Sequence, residues 1–183
     1  MWASAPLGHS GFEVIQKMTS PQMIALDQAL AEFEVPQPEP GMWAEQLATV
    51  AQQMRAVIRR HRDVVPASIG FLPGGGRALR CHERVLAIMR AGGLSDSHSV
   101  AGLYLLWVIV NGFTLEETHA EQQEPIGRDL SPEVSRYFAS LPGDRFPNLT
   151  AVAGEFEGTD FDERFELLIG IVVSGLAGRA AQT

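Results

Sequence analysis

Cysteine is nearly absent from these 183 residues: Cys81 stands alone, so no intramolecular disulfide can form. Basic residues are nearly absent from the first 40 positions, where Glu13, Asp27, Glu32, Glu34 and Glu39 face one cation, Lys17. Such a segment cannot neutralise several phosphates, as a nucleic-acid reader must. Catalytic and metal signatures are missing too. Gly74-Gly75-Gly76-Arg77 lacks the Lys-Ser/Thr of a phosphate loop, and no GxGxxG follows a strand. Glu116, Glu117, His119 and Glu121 match neither HExxH nor a repeated Glu-x-x-His pair, so they read as a solvated acidic helix end. No Ser-His-Asp or Cys-His spacing suggests a nucleophile. The apolar block Ala101 to Leu115 is cut short by Glu116 and Glu117, before the roughly 20 residues a membrane span needs. No basic, apolar and small-residue succession opens the chain as a secretion signal would. The expectation is a cytoplasmic protein with no metal, no cofactor and no membrane partner.

What is present is an ordinary globular composition, 45% hydrophobic and 20% charged, with a formal net charge of −8 that favours solubility. The length suffices for one core. Helical signals run nearly throughout. Ser10-Gly11-Phe12-Glu13 forms a capping box, and Ser20-Pro21 places a cap before a first-position proline, so short helices are expected at about 11–18 and 21–33. Pro36, Pro38 and Pro40 then interrupt, which sets an N-terminal extension, 1–40, apart from a main domain, 41–183. Trp43, Leu47, Val50, Met54, Val57 and Ile58 recur at three- and four-residue steps, one stripe of a helix ending near Arg62. Arg55, Arg59, Arg60 and Arg62 read as its solvated basic end.

A glycine- and proline-rich loop, 69–76, precedes a helix at about 77–91, which Gly92-Gly93 ends. The next helix, about 96–120, is apolar almost all round. Ser131-Pro132 opens a shorter one to about Leu141, a variable stretch follows, and Asp160 caps a last apolar helix from Phe161 to about Arg179. No strand of convincing alternation appears, so the fold class is all-α. Two helices that are apolar on more than one face need more than one partner. Either both bury themselves inside one chain, or they pair with a second copy in a four-helix interface, where Gly112, Gly170 and Gly175 would allow close approach.

The segments VPQPEPGMWAEQLATVAQQMRAVIRRHRDVV, ALRCHERVLAIMRAGGLSDSHSVAGLYLLWVIVNGFTLEE and FDERFELLIGIVVSGL together resemble the C-terminal ligand-binding and dimerisation domain of the tetracycline-repressor (TetR) family. The order of features carries the likeness: a proline-rich lead-in, a Trp-led helix ending in Arg-His, a helix ending in Ala-Gly-Gly-Leu-Ser, a long apolar helix with Gly112-Phe113, a variable arm, and a closing Phe-Glu-Leu-Leu helix. Family members place a helix-turn-helix before this domain. Residues 21–33 resemble the helix that links the two parts, but residues 1–20 do not read as a recognition helix. Direct DNA binding by these residues is not expected.

The resemblance implies a helical bundle with an apolar small molecule inside each subunit, enclosed by the helices at 43–62, 77–91 and 97–120. It also implies a homodimer through the last two long helices. Met54, Ile58, His61, Phe71, His82, Leu86, Met89, Trp107, Asn111 and Thr114 are the expected ligand contacts. Gly112, Phe165, Leu168, Ile169, Val172, Gly175 and Leu176 are the expected dimer contacts. Trp107 and Asn111 share a helix face, which sets a flat apolar surface beside an amide. Both also read as core packing and a structural hydrogen bond, His61 and His82 as surface or satisfied core residues, and Phe71 as a lid or a loop anchor. Two functions follow: a ligand sensor, sequestering protein or partner of a full-length regulator, or an enzyme recruited from the same pocket. The enzyme would cyclise or rearrange an apolar, secondary-metabolite-like substrate by holding one conformer, with Asn111 or His61 as polarising group.

Overall fold

The computed structural model describes residues 21–32, 34–61, 75–122, 131–157 and 160–181. The expected helix at 11–18, most of the loop at 69–76 and Phe71 lie outside them. Among the described residues there are seven α-helices and no strand: α1 Pro21–Ala29, α2 Trp43–Arg60, α3 Gly76–Ala91, α4 Asp96–Gln122, α5 Ser131–Ala139, α6 Pro147–Ala151 and α7 Phe161–Ala180. Short 3-10 turns add Leu30–Glu32, Pro40–Met42 and Ala153–Phe156. The all-α expectation holds. The segment expected as one helix at 21–33 tightens into a 3-10 turn after Ala29. The stretch after Leu141 contains α6, which starts at Pro147, where the missing N–H costs nothing.

The chain packs as two compact units, one of the described residues up to Leu115 together with those from Ile171 onward, the other Glu116–Gly170. In the first, α2 lies against α3, and α1 with its 3-10 turn rests on both. Leu47, Val50, Ala51, Met54, Val57 and Ile58 form the buried stripe of α2, and Val85, Ile88 and Met89 that of α3. Arg55 lies on the α2 stripe, 4% exposed, with its guanidinium 5.4 Å from the Phe113 ring centroid. It is therefore not part of a solvated basic end. Its position one residue past Met54 and three before Ile58 carries it inward, and the ring offers an electron-rich face to the cation. In the second unit, α5 packs on α6 and on the turn Ala153–Phe156, where the Phe138 and Phe156 rings meet edge to face at 5.0 Å. Glu117 is 2% exposed, so the acidic end of α4 is not solvated throughout. Seven residues after Val110 and three after Thr114, it continues the buried face of its helix.

Capping sets the joints. Asp27 of α1 supplies the N-cap that α3 lacks locally: its Oδ1 accepts from the N–H groups of Arg77 at 2.9 Å and Ala78 at 2.8 Å. Gly75 makes room, because a Cβ there would stand 2.2 Å from the Asp27 carboxyl. The C-terminus of α3 closes in a Schellman arrangement. Gly93 sits at φ +85°, its N–H donates to the Arg90 carbonyl, and the Leu94 N–H donates to that of Met89. Asp160 caps α7 as expected, accepting from the Glu163 N–H at 2.8 Å. The proline-rich segment is fixed by Gln46, whose amide nitrogen donates to the Gln37 carbonyl and whose oxygen accepts from the Glu39 N–H.

Asp27→Ala should lower stability by about 1 kcal/mol through loss of an N-cap. Gly93→Ala should cost about 1 to 2 kcal/mol, because a Cβ is strained in the left-handed region. Both are read as reduced urea midpoints at unchanged slope. An unmoved midpoint for Asp27→Ala would show that the inter-helix cap contributes nothing.

Candidate ligand cavity

An apolar cavity lies inside the first unit, lined by Leu30, Val50, Met54, Cys81, His82, Val85, Leu103, Leu106 and Trp107. Four elements contribute. Val50 and Met54 are a turn apart on α2; Cys81, His82 and Val85 share one face of α3; Leu103, Leu106 and Trp107 share one face of α4; and Leu30 comes from the turn after α1. The walls close on about 20 Å³. That is room for one water molecule, far below the roughly 300–1,000 Å³ of a site holding a drug-sized ligand. A ligand of that size therefore has to part the walls, and the flexible thioether of Met54 is the side chain best suited to yield.

Polar groups are scarce in this wall. The His82 ring meets the Trp107 ring edge-on, with centroids 6.3 Å apart and planes at 86°. Burial holds the imidazole below its ordinary pKa and so favours its neutral form. Burial, with the Asp27 carboxylate adding to it, pushes the Cys81 thiol up, which keeps it protonated and a poor nucleophile.

Of the expected contacts, Met54, His82 and Trp107 come together in this cavity. Ile58 and Met89 are buried in the core without lining it. Met89 instead packs where α4 comes close, since a Cβ on Gly102 would meet its sulfur at 3.0 Å and a Leu176 methyl at 3.1 Å. Leu86 lines a separate open groove of about 400 Å³ with Glu83, Ala87, Arg90, Asp96, Ser99 and Val100. His61 closes the end of α2 and pairs through Nε2 with Glu32, which also binds Arg60 at 2.9 Å. These partners hold the Glu32 carboxyl below its usual range, the hydrogen bond from His61 foremost. Asn111 and Thr114 are buried and turn back on their own helix: Asn111 Nδ2 donates to the Trp107 carbonyl at 2.8 Å and Thr114 Oγ1 to that of Val110 at 2.6 Å.

Six of the described lining residues were not expected as ligand contacts: Leu30, Val50, Cys81, Val85, Leu103 and Leu106. Helical spacing points to five of them, since Val50, Val85 and Leu103 lie three or four positions from Met54, His82 and Trp107, and Cys81 and Leu106 are direct neighbours of two of these. Leu30 carries no such signal. Its place depends on how α1 folds back onto α3.

The expected dimer contacts divide. Phe165, Ile169, Val172 and Leu176 form the buried stripe of α7, whereas Leu168 is exposed and Cβ atoms built on Gly112, Gly170 and Gly175 meet nothing. Leu167 and Ile171 on α7, and Tyr104, Leu105 and Val108 on α4, are also exposed. By length and composition, α4 is apolar enough to cross a membrane. Buried Asn111, Thr114, Glu117 and Thr118 instead suit a helix packed against protein.

Residues 35–180 match the family model described as "Tetracyclin repressor-like, C-terminal domain". No curated protein matches the chain. Among solved structures, apo ActR from Streptomyces coelicolor is 34% identical, with a TM-score of 0.77 over 87% of this chain and 75% of that one. ActR in complex with actinorhodin is 35% identical, with a TM-score of 0.75 over 85% and 72%. A further TetR regulator from Streptomyces coelicolor, at 20% identity and a TM-score of 0.68 over 86% and 74%, shares the fold.

Two outcomes are expected from the cavity wall. Trp107→Ala should destabilise by about 3 to 5 kcal/mol, the range for removing a large buried aromatic. Because the native His82 resists protonation, the unfolded chain binds the proton more readily, so stability falls as pH drops below the ordinary imidazole value of 6.5. His82→Phe should flatten that part of the profile. Parallel urea midpoints at pH 7.5 and 5.5 for the two proteins check this, and identical slopes would refute the neutral imidazole.

Proposed function

As the chain belongs to the tetracycline repressor family through its C-terminal domain, we propose that it binds a largely apolar small molecule in the cavity between α2, α3, α4 and the Leu30 turn. It acts as a ligand sensor, a sequestering protein or the partner of a full-length regulator. The observation that carries this reading is the placement of Met54, His82 and Trp107, from three helices, around one apolar space. ActR, about a third identical over most of the chain, has been solved with actinorhodin and with (S)-DNPA. The acidic, nearly cation-free residues 1–40 do not themselves offer a phosphate-binding surface. The exposed apolar faces of α4 and α7 support a homodimer, and the single cysteine suits the cytoplasm.

Calorimetric titration with a neutral aromatic probe, 2-naphthol, followed by mass spectrometry of the released compound, tests the reading. Saturation at one molecule per subunit, slower alkylation of Cys81 and recovery of the compound unchanged are expected. A ligand at about 100 times its Kd should add roughly 2.7 kcal/mol to stability. Conversion of the compound would favour a recruited enzyme, and the absence of saturable binding would remove the assignment of ligand class. For assembly, Ile171→Glu places a charge on a residue 60% exposed. It should turn a sedimenting dimer into a folded monomer, and an unchanged sedimentation coefficient would exclude α7 from the interface.

A further inference from the structure

Resting on that reading, we infer that His82 is the polar anchor of the cavity and that it selects uncharged, largely aromatic ligands carrying one hydrogen-bonding oxygen, a phenol or a ketone. The wall explains why. Seven of its nine described residues, Leu30, Val50, Met54, Val85, Leu103, Leu106 and Trp107, lack a strong side-chain acceptor and, apart from the indole N–H, a donor. Cys81 is the eighth, and a protonated thiol is a weak partner. The ninth is His82, whose ring has no hydrogen-bond partner among the described residues and meets the Trp107 ring edge-on.

A neutral imidazole has one N–H donor and one bare nitrogen acceptor. It can donate to a ketone or accept from a phenol, choosing the tautomer that suits. Charge on the ligand is disfavoured for a separate reason. Among the described residues no carboxylate, guanidinium or ammonium lines the cavity, so an ionised ligand would lose its hydration without meeting a counter-charge from them. Aromatic character follows from Trp107 and the Met54 sulfur, since both make favourable contacts with π-systems.

Equilibrium dialysis of the full chain against naphthalene, 2-naphthol, 2-acetonaphthone and 2-naphthoate tests this. One neutral hydrogen bond should make the naphthol and the ketone about fivefold tighter than naphthalene. The naphthoate should bind more weakly than naphthalene. His82→Phe should keep a cooperative urea transition at pH 7.5, which certifies the fold, and bring the three neutral ligands to a common value. His82→Gln, which keeps a donor and an acceptor, should restore part of the preference. A naphthoate as tight as the naphthol, or a preference that survives in His82→Phe, overturns the anchor while leaving the cavity reading intact. No saturable binding of any of the four, naphthalene included, overturns the cavity reading and the anchor together.

Discussion

The packing of α2 against α3 is the constraint on which the described architecture of the first unit rests. Each helix buries one stripe, Leu47 to Ile58 on one and Val85 to Met89 on the other, and burial of apolar side chains is the main stabilising term available to an all-helical chain. Other features attach to this pair. Asp27 reaches from α1 to cap α3, Gln46 holds the proline-rich segment onto α2, and Gly92 at the end of α3 fits under the Trp43 ring, where a Cβ would stand 2.5 Å from it. Moving α3 would disturb the first and third of these joints, and moving α2 the second and third.

The cavity is a by-product of the same arrangement. Three helices and a turn converge with apolar side chains, and where their ends do not interdigitate fully a small space remains, bordered by one imidazole. On the proposed function, the closed volume means that binding would work against well-packed walls, and part of the interaction energy would go into opening them. Leu30 ties that opening to α1, which Asp27 and Glu32 link to α3 and to the end of α2.

On the outer faces the balance differs. Tyr104, Leu105 and Val108 on α4 and Leu167, Leu168 and Ile171 on α7 remain exposed, beside glycines that meet nothing. Under the proposed homodimer a second copy would cover this surface, and the small residues would let helices approach closely. The same two helices carry inward stripes that the chain satisfies itself.

The sequence by itself determined the all-helical class, the bounds of the long helices to within a few residues and the capping role of Asp160. It did so because helical periodicity, proline and glycine act locally. It also marked Met54, His82 and Trp107, large or polar residues on apolar helix faces. Only the tertiary structure decided which residues meet. His61 and Asn111 read as pocket groups on their helices, yet one pairs with Glu32 and the other donates to its own backbone. Arg55 and Glu117 read as solvated charges, yet both are buried. Leu30 lines the cavity from a segment about 50 residues before its α3 neighbours. Spacing along a helix specifies a face, but which neighbour covers that face depends on how distant segments fold back, and that is settled by packing across the chain.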